Sequence, residues 1–322
     1  MALRIAFLST ARINGALAAG AAEVDEVEVV AIASRDLGRA EAQARGLGVE
    51  RAIGSYEAVL EDPEVDAVYV SLPNALHVPW AIRALEAGKH VLCEKPLTRR
   101  PEDAERAFDA AQAAGRVLME GFMWRHHPQA RRLTELARTE IGQLRAVRAG
   151  FSFSLGRAGD VRLSGELDGG ALMDVGCYCV SGMRLVAGEP ERVFAEQKLG
   201  GEGVDVRMAA TLRFPGDVLG HFECGMDMPG SMGLEVVGAA GSLLLTDPWH
   251  GREPRIELRR ADGSVEDVEV ERANPYAMEL RDFAGAAAGL NPPLLGRADA
   301  VGQARTIAAL YASAASAEAV AL

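Results

Sequence analysis

Up to about residue 120 the hydrophobic pattern alternates between short apolar runs and longer amphipathic stretches. The runs Leu3–Leu8, Val27–Ala33, Ala67–Leu72, His90–Cys93 and Val117–Glu120 read as strands. They are nearly continuous in apolar residues, as strands buried on both faces of a parallel sheet are. Between them, Asp36–Gly46, Ala75–Ala87 and Pro101–Ala114 are rich in Ala, Glu and Arg and read as helices. Gly88 and Gly115 stand where helix ends favour glycine. Alternating β and α units predict an α/β, doubly wound parallel sheet.

The pattern changes after Trp124. Pro128 opens a predicted helix to about Thr139, and Gly142 breaks it. Strand-like stretches follow at Leu144–Ser154, Arg192–Lys198, Val206–Phe214, Val218–Cys224, Gly233–Val237 and Ile256–Arg260. An apolar helix at about Gly170–Val186 interrupts them, and Tyr276–Ala288 and Ala298–Ala319 read as closing helices. Short strands separated by Gly, Pro and Asp turns predict an α+β domain on a large, mainly antiparallel open sheet. The expected division is residues 1–122 and 123–322, with the C-terminal helix free to pack back on the first domain.

Composition narrows the function classes. A net charge of −12 with no basic stripe argues against a nucleic-acid partner. No apolar run is long enough to span a bilayer, and the start lacks signal-peptide architecture. Four cysteines in 322 residues show neither zinc spacing nor disulfide density, so reduced thiols in a cytoplasmic protein are expected. His126-His127 lacks a suitably spaced third ligand, so no metal site is expected.

Candidate chemistry starts at Glu94-Lys95-Pro96, directly after the fifth apolar run. The chain has three lysines, Lys89, Lys95 and Lys198, against a large excess of arginine. A lysine at the carboxyl end of a parallel strand sits where α/β proteins bind ligands. Its compact ammonium also shifts its pKa on burial, which a guanidinium does not match. The first βα turn, Leu8-Ser9-Thr10-Ala11-Arg12-Ile13-Asn14, has Ser9, Ala11 and Asn14 where a dinucleotide fingerprint has glycines. Small residues and a helix N-terminus still allow a pyrophosphate to approach, with a hydroxyl from Ser9 and a flanking Arg12. After the second run stand Ser34 and Arg35, with no carboxylate to bind a ribose 2′-hydroxyl; Asp36 reads as the next helix cap. A hydroxyl and a guanidinium suit a 2′-phosphate, so NADP is predicted over NAD.

In series, Ser71-Leu72-Pro73-Asn74-Ala75-Leu76-His77, Glu94-Lys95-Pro96 and Gly169-Gly170-Ala171-Leu172-Met173-Asp174-Val175-Gly176-Cys177-Tyr178 make the chain resemble the Gfo/Idh/MocA oxidoreductases. The segments Glu120–Gln129 and Arg162–Gly170 are most similar to the subgroup of aldose (D-xylose) dehydrogenases and trans-dihydrobenzenediol dehydrogenases. The resemblance implies an N-terminal Rossmann domain, a cis Lys95–Pro96 bond, and a second domain whose open sheet makes a homodimer or homotetramer. It implies cofactor contacts from Ser9, Ala11, Arg12 and Ile13, from Ser34 and Arg35, from Leu72, Asn74 and His77, from Glu94 and Lys95, and from Trp124 and Arg125.

The resemblance also places the acid/base at Tyr178. A Lys95 ammonium nearby would favour its phenolate, or Lys95 would hold the substrate oxygen itself. Asp174, one helical turn before Tyr178, would bind a sugar hydroxyl or orient Lys95. The leading expectation is hydride transfer between the C1 hydroxyl of an aldose and NADP. Dihydrodiol oxidation or carbonyl reduction is the near alternative, and a non-catalytic dinucleotide sensor the distant one. Substrate specificity is expected in the loops Gly156–Asp168 and Met226–Ser231.

Overall fold

The computed structural model describes residues 2–156 and 159–322. Met1 lies outside the described residues, as do Arg157 and Ala158 of the expected specificity loop. The chain divides into two compact units, one of Met1–His126 with Asn274–Val301, the other of His127–Ala273 with Gly302–Leu322.

The first unit holds strands β1 (Leu3–Leu8), β2 (Val27–Ala33), β3 (Arg51–Ile53), β4 (Ala67–Val70), β5 (His90–Glu94) and β6 (Leu118–Gly121). They form a wholly parallel sheet in the order β3-β2-β1-β4-β5-β6. Helices α1 (Asn14–Ala21), α2 (Leu37–Leu47), α3 (Tyr56–Glu61), α4 (His77–Glu86) and α5 (Pro101–Ala114) make the crossovers. The strand order reverses between β1 and β4, and the carboxyl ends there form the crevice where such sheets take ligands. β3 and α3 are absent from the expected pattern. A three-residue strand opening on Arg51 is too short to show a period.

The second unit holds α6 (Pro128–Thr139), β7 (Leu144–Ser154) and α7 (Cys177–Ala187). Strands β8 (Arg192–Leu199), β9 (Asp205–Phe214), β10 (Val218–Gly225), β11 (Asp227–Gly238), β12 (Gly241–Leu245), β13 (Arg255–Arg260) and β14 (Val265–Glu269) follow. Beyond them, α8 (Pro275–Ala287) belongs to the first unit, α9 (Arg297–Ser316) runs from Arg297, and β15 (Val320–Ala321) ends the chain.

The nine-stranded sheet runs β14-β13-β12-β11-β7-β10-β9-β8-β15, antiparallel except for the β7–β10 pair. Along β9, Met208, Ala210, Leu212 and Phe214 are buried and alternate with exposed or half-buried residues, so one face of this strand is core. α7 covers that side, with Gly182 against the buried Trp249 ring, where an added Cβ would meet Cη2 at 2.8 Å. β12, β14 and β15 are also outside the expected list. β14 buries only Val268 among charged and exposed residues, which leaves no alternation to read.

In the first unit α8 packs on α1. Gly20 allows this, because a Cβ there would lie 2.8 Å from both Ala277 N and Tyr276 Cβ. Among the described residues no helix is long and apolar enough to cross a membrane.

Candidate active site

The switch point between β1 and β4 is closed by side chains. The Ser9 hydroxyl donates to Ser71 O at 3.0 Å and lies 2.7 Å from the Ser71 hydroxyl. Ser71 Oγ donates to Asn14 Oδ1 at 2.7 Å, and Asn14 Nδ2 donates to Ser9 O at 2.9 Å and Gln43 Oε1 at 2.8 Å. Gln43 in turn donates to Ala11 O, and Ala11 N–H to Ser9 Oγ. Asn14 is fully buried and Ser9 nearly so. The polar residues that replace the fingerprint glycines therefore tie the turn together. The Ser9 hydroxyl serves the loop itself. Outside this ring, Arg12 is exposed, and the N–H groups of Arg12 and Ile13 meet no protein acceptor among the described residues.

At the end of β2, Ser34 is buried and its Oγ accepts from Asp36 N–H at 3.2 Å. The Asp36 carboxylate accepts from Arg39 N–H and caps α2, as the sequence predicts. Arg35 is exposed. This strand end thus presents a guanidinium, with the adjoining Asp36 carboxylate committed to a helix.

The Lys95–Pro96 bond is cis. Three groups hold the turn around it. Glu94 accepts from the Tyr69 hydroxyl and from Lys95 N–H. Glu120 Oε1 accepts from Leu97 N–H at 2.7 Å. His77, 1% exposed, sets Nδ1 2.9 Å from Pro96 O and Nε2 2.7 Å from Leu72 O. Burial lowers the His77 pKa and the Lys95 charge lowers it further, against the pull of the two carbonyls. A neutral imidazole has one N–H to give, so one carbonyl receives it at a time. His77 thus joins the Ser71–His77 motif to the Glu94–Pro96 motif through their backbones.

Burial, and then the Glu94 charge, push Tyr69 well above the ordinary phenol value, so it stays a donor. The same two causes push the carboxyl of the buried Glu279 of α8 well above the ordinary carboxylate value. Lys89 is 8% exposed and donates to Asp62 O and Val65 O at 2.7 Å each, whereas Lys198 is exposed on β8. Lys95, half-buried, is the remaining lysine. Trp124 and Arg125 lie in a 3₁₀ turn, Met123–His126, where Trp124 is buried and Arg125 reaches Asp299 at 3.3 Å. Leu72 is buried, and Asn74 opens the 3₁₀ turn Asn74–Leu76.

In the second unit the helix expected from Gly170 starts differently. Leu172–Gly176 is a π-helical turn, and α7 continues from Cys177. Single π turns inside helices recur at functional sites. The turn is held by Asp205, 1% exposed, which accepts from Leu172 N–H at 2.7 Å and from the Tyr311 hydroxyl at 2.8 Å. Gly170 has φ 121°, and a Cβ there would lie 2.1 Å from Asp205 Oδ1. A Cβ on Gly169 would lie 2.3 Å from Arg162 O.

Asp174 lies in this turn and accepts from Arg162 Nε at 2.7 Å. Arg162 Nη1 also reaches Asp160 Oδ1 at 3.2 Å. Burial pulls the Arg162 pKa down, but the charges and hydrogen bonds of Asp174 and Asp160 more than offset it. The Tyr178 ring, 8% exposed, is T-shaped to Phe151 at 5.4 Å and 6.0 Å from Trp249. Cys177 and Cys179 are buried free thiols, and burial drives Cys179 well above the ordinary value.

Sequence reading missed Asp205, Tyr311, Phe151, Trp249 and the Arg162–Asp174 bond. The Gly169-Gly170 pair was the available signal, since paired glycines mark backbone in close contact. His127 caps α6 through Nδ1, which accepts from Gln129 N–H at 3.0 Å. Burial lowers His126 to about 3, with Arg125 adding to the shift.

Residues 4–122 match a family model described as an oxidoreductase family with an NAD-binding Rossmann fold, and residues 129–244 match the GFO/IDH/MocA C-terminal domain. The chain is 40% identical over 320 residues, 98% of each protein, to D-xylose 1-dehydrogenase (NADP(+)) 2 of Haloferax volcanii. It is 35% identical to trans-1,2-dihydrobenzene-1,2-diol dehydrogenase of Mus musculus, over 70% of this chain and 68% of that one. A 3-ketoreductase from Actinomadura kijaniata, solved with NADP and TDP-benzene, matches with a TM-score of 0.91 and 33% identity, covering 97% of this chain and 98% of that one.

Proposed function

The chain belongs to the Gfo/Idh/MocA oxidoreductase family, and on that premise we propose that it oxidises the C1 hydroxyl of an aldose such as D-xylose to a lactone with NADP⁺. The observation that carries this reading is the 40% identity, across 98% of both chains, to an NADP-dependent D-xylose dehydrogenase. The strand end at β2 fits the cofactor. An exposed Arg35 suits a 2′-phosphate, and Asp36 is engaged as a helix cap. The free N–H groups at the start of α1 suit a pyrophosphate.

NADP⁺, when bound, supplies the hydride acceptor. Tyr178, reacting as its phenolate, takes the hydroxyl proton and becomes the neutral phenol, with its ring orientation fixed by Phe151 and Trp249. Lys95 supplies the positive charge that the deprotonated oxygen needs, on a turn held by Glu94, Glu120 and His77. Asp174 receives sugar hydroxyls as a hydrogen-bond acceptor. The nine-stranded sheet makes a homo-oligomer through its uncovered face, where Phe194 and Leu219 are exposed. Sedimentation of the purified protein tests that assignment, and a monomer would remove it.

NADPH formation across an aldose and trans-dihydrodiol panel tests the reaction. Turnover of aldoses with NADP⁺ well above NAD⁺ is expected. Turnover of dihydrodiols alone would transfer the assignment to the second relative's chemistry. Lys95→Ala and Tyr178→Phe should each lower kcat at least about 100-fold. Intact activity in both would end this mechanism, whereas no turnover of any panel member by the wild type would leave a dinucleotide-binding sensor as the better reading.

A further inference from the structure

The motif Glu120–Gln129 ends on a residue that no step of the reaction uses. Gln129 lies in the first turn of α6 and is 2% exposed. Its Nε2 donates to Asp247 O and its Oε1 accepts from Arg255 N–H, each at 3.0 Å. One amide, with its donor and acceptor side by side, thus bridges the two ends of the connection from β12 to β13. Inside that connection the Asp247 carboxylate accepts from His250 N–H at 3.2 Å and from Arg252 N–H at 2.9 Å. Its far side lies on the His127 ring, where a Cβ on Gly251 would meet Cδ2 at 2.9 Å.

The connection carries Trp249 into the core of the second unit. That side chain is fully buried, and its Nε1 donates to Gly150 O of β7 at 3.1 Å. The ring stacks on Phe151, with centroids 6.4 Å apart and planes 22° from parallel. Against α7 it meets two successive turns, Tyr178 at 6.0 Å between centroids and the bare backbone of Gly182. Tyr178 and Gly182 are four residues apart and share a helical face. Where Trp249 sits therefore bears directly on where the phenol ring sits.

We propose that Gln129 is a positioning residue for Tyr178: by bridging Asp247 and Arg255 it seats Trp249 against α7, and Trp249 holds the phenol ring in its reacting orientation. The proposal rests on the reading that Tyr178 handles the hydroxyl proton. Removing the amide takes a partner from Asp247 O and from Arg255 N–H at once, and the connection loosens. A ring displaced by about 1 Å costs rate more than substrate affinity, because proton transfer needs a close and aligned approach.

The test uses the full chain with NADP⁺ and D-xylose. Gln129→Met keeps the length of the side chain and removes both bonds. It should lower kcat about tenfold and leave KM for D-xylose and for NADP⁺ within about twofold. Asp247→Ala loosens the same connection from inside and should lower kcat about threefold. Trp249→Phe should lower kcat by itself, and in that background Gln129→Met should add less than about twofold. The near-UV circular dichroism of Gln129→Met should lose the part of the aromatic signal that Trp249→Phe loses. A full additional loss in the Trp249→Phe background would overturn the proposal. So would a kcat that neither Gln129→Met nor Asp247→Ala moves. Should Gln129→Met not fold, Asp247→Ala carries the same cycle with Trp249→Phe. No aldose turnover by the wild type, or a kcat intact in Tyr178→Phe, would instead overturn the functional reading and with it the catalytic role of Gln129. Circular dichroism then decides the seating of Trp249 by itself, and an unchanged signal would remove that too.

Discussion

Between Leu8 and Asn14 the first βα turn has no glycine, whereas the turn that starts the Asp174 helix depends on two. Both are tight turns at the start of a helix, and both carry candidate chemistry. In the first, Ser9, Asn14, Ser71 and Gln43 draw the chain together with neutral hydrogen bonds. In the second, backbone lies against Arg162 O and Asp205 Oδ1 at distances no Cβ tolerates. Two devices reach similar compactness. A side-chain network is insensitive to the glycine motif, and a backbone contact is absolutely sensitive to it.

The sharpest way to break the comparison is to put a Cβ at Gly170. Positive φ and the 2.1 Å approach to Asp205 act together, so Gly170→Ala should lose about 4 kcal/mol of unfolding free energy in urea. A loss within error would mean the π turn relaxes freely.

The second effect is electrostatic. Burial raises the Asp205 carboxyl from 3.8 to about 6, against the pull of its hydrogen bonds to Leu172 and Tyr311. The folded state therefore binds this proton more tightly than the unfolded chain. Its stabilising contribution is full below about pH 3.8 and is lost as pH rises through about 6. Relative to Asp205→Asn, the wild type should lose on the order of 3 kcal/mol between about pH 4 and pH 7. A wild-type stability that rose with pH relative to Asp205→Asn would reverse the assignment.

The third prediction concerns the neutral turn. Asn14→Gly supplies the last fingerprint glycine, yet it strips partners from Ser71 Oγ, Ser9 O and Gln43 Oε1. It should cost about 2 kcal/mol and weaken NADP binding. Tighter binding, measured by fluorescence titration, would show that the glycine motif and not the network governs the site.

The smallest effect is at Gly15, one residue further on, where an added Cβ meets nothing within 4 Å. Gly15→Ala should gain about 0.5–1 kcal/mol from helix propensity. A loss there would show that the α1 turn also needs its backbone bare.

Legibility followed the length and regularity of each element. β1, β2, α5, α6 and β7 match their predicted ends residue for residue, because each has a strong period or a capping signal. Asp36 as a cap was readable from its place before a helical pattern. β3, β12 and β14 were not, being short, glycine-started or charged. Asp205 could not be picked from 46 acidic residues, since nothing in its neighbourhood marks it as buried. The Arg162–Asp174 bond spans twelve residues through a loop whose path has no sequence signature.

What the sequence by itself determined is the order of elements, the α/β class, and the motif series with Lys95, Asp174 and Tyr178 in it. These are local properties: periodicity, caps and residue types at turns. Only the tertiary structure decided that Ser71 completes the Ser9 turn from 62 residues away, and that α8 belongs to the first unit. It also decided that Asp205 holds the helix start and is itself held by Tyr311, 106 residues further along the chain. The Ser9–Ser71 and Leu172–Asp205 contacts are buried polar contacts between distant segments. Burial makes such a partner obligatory, and chain topology alone determines which residue it is.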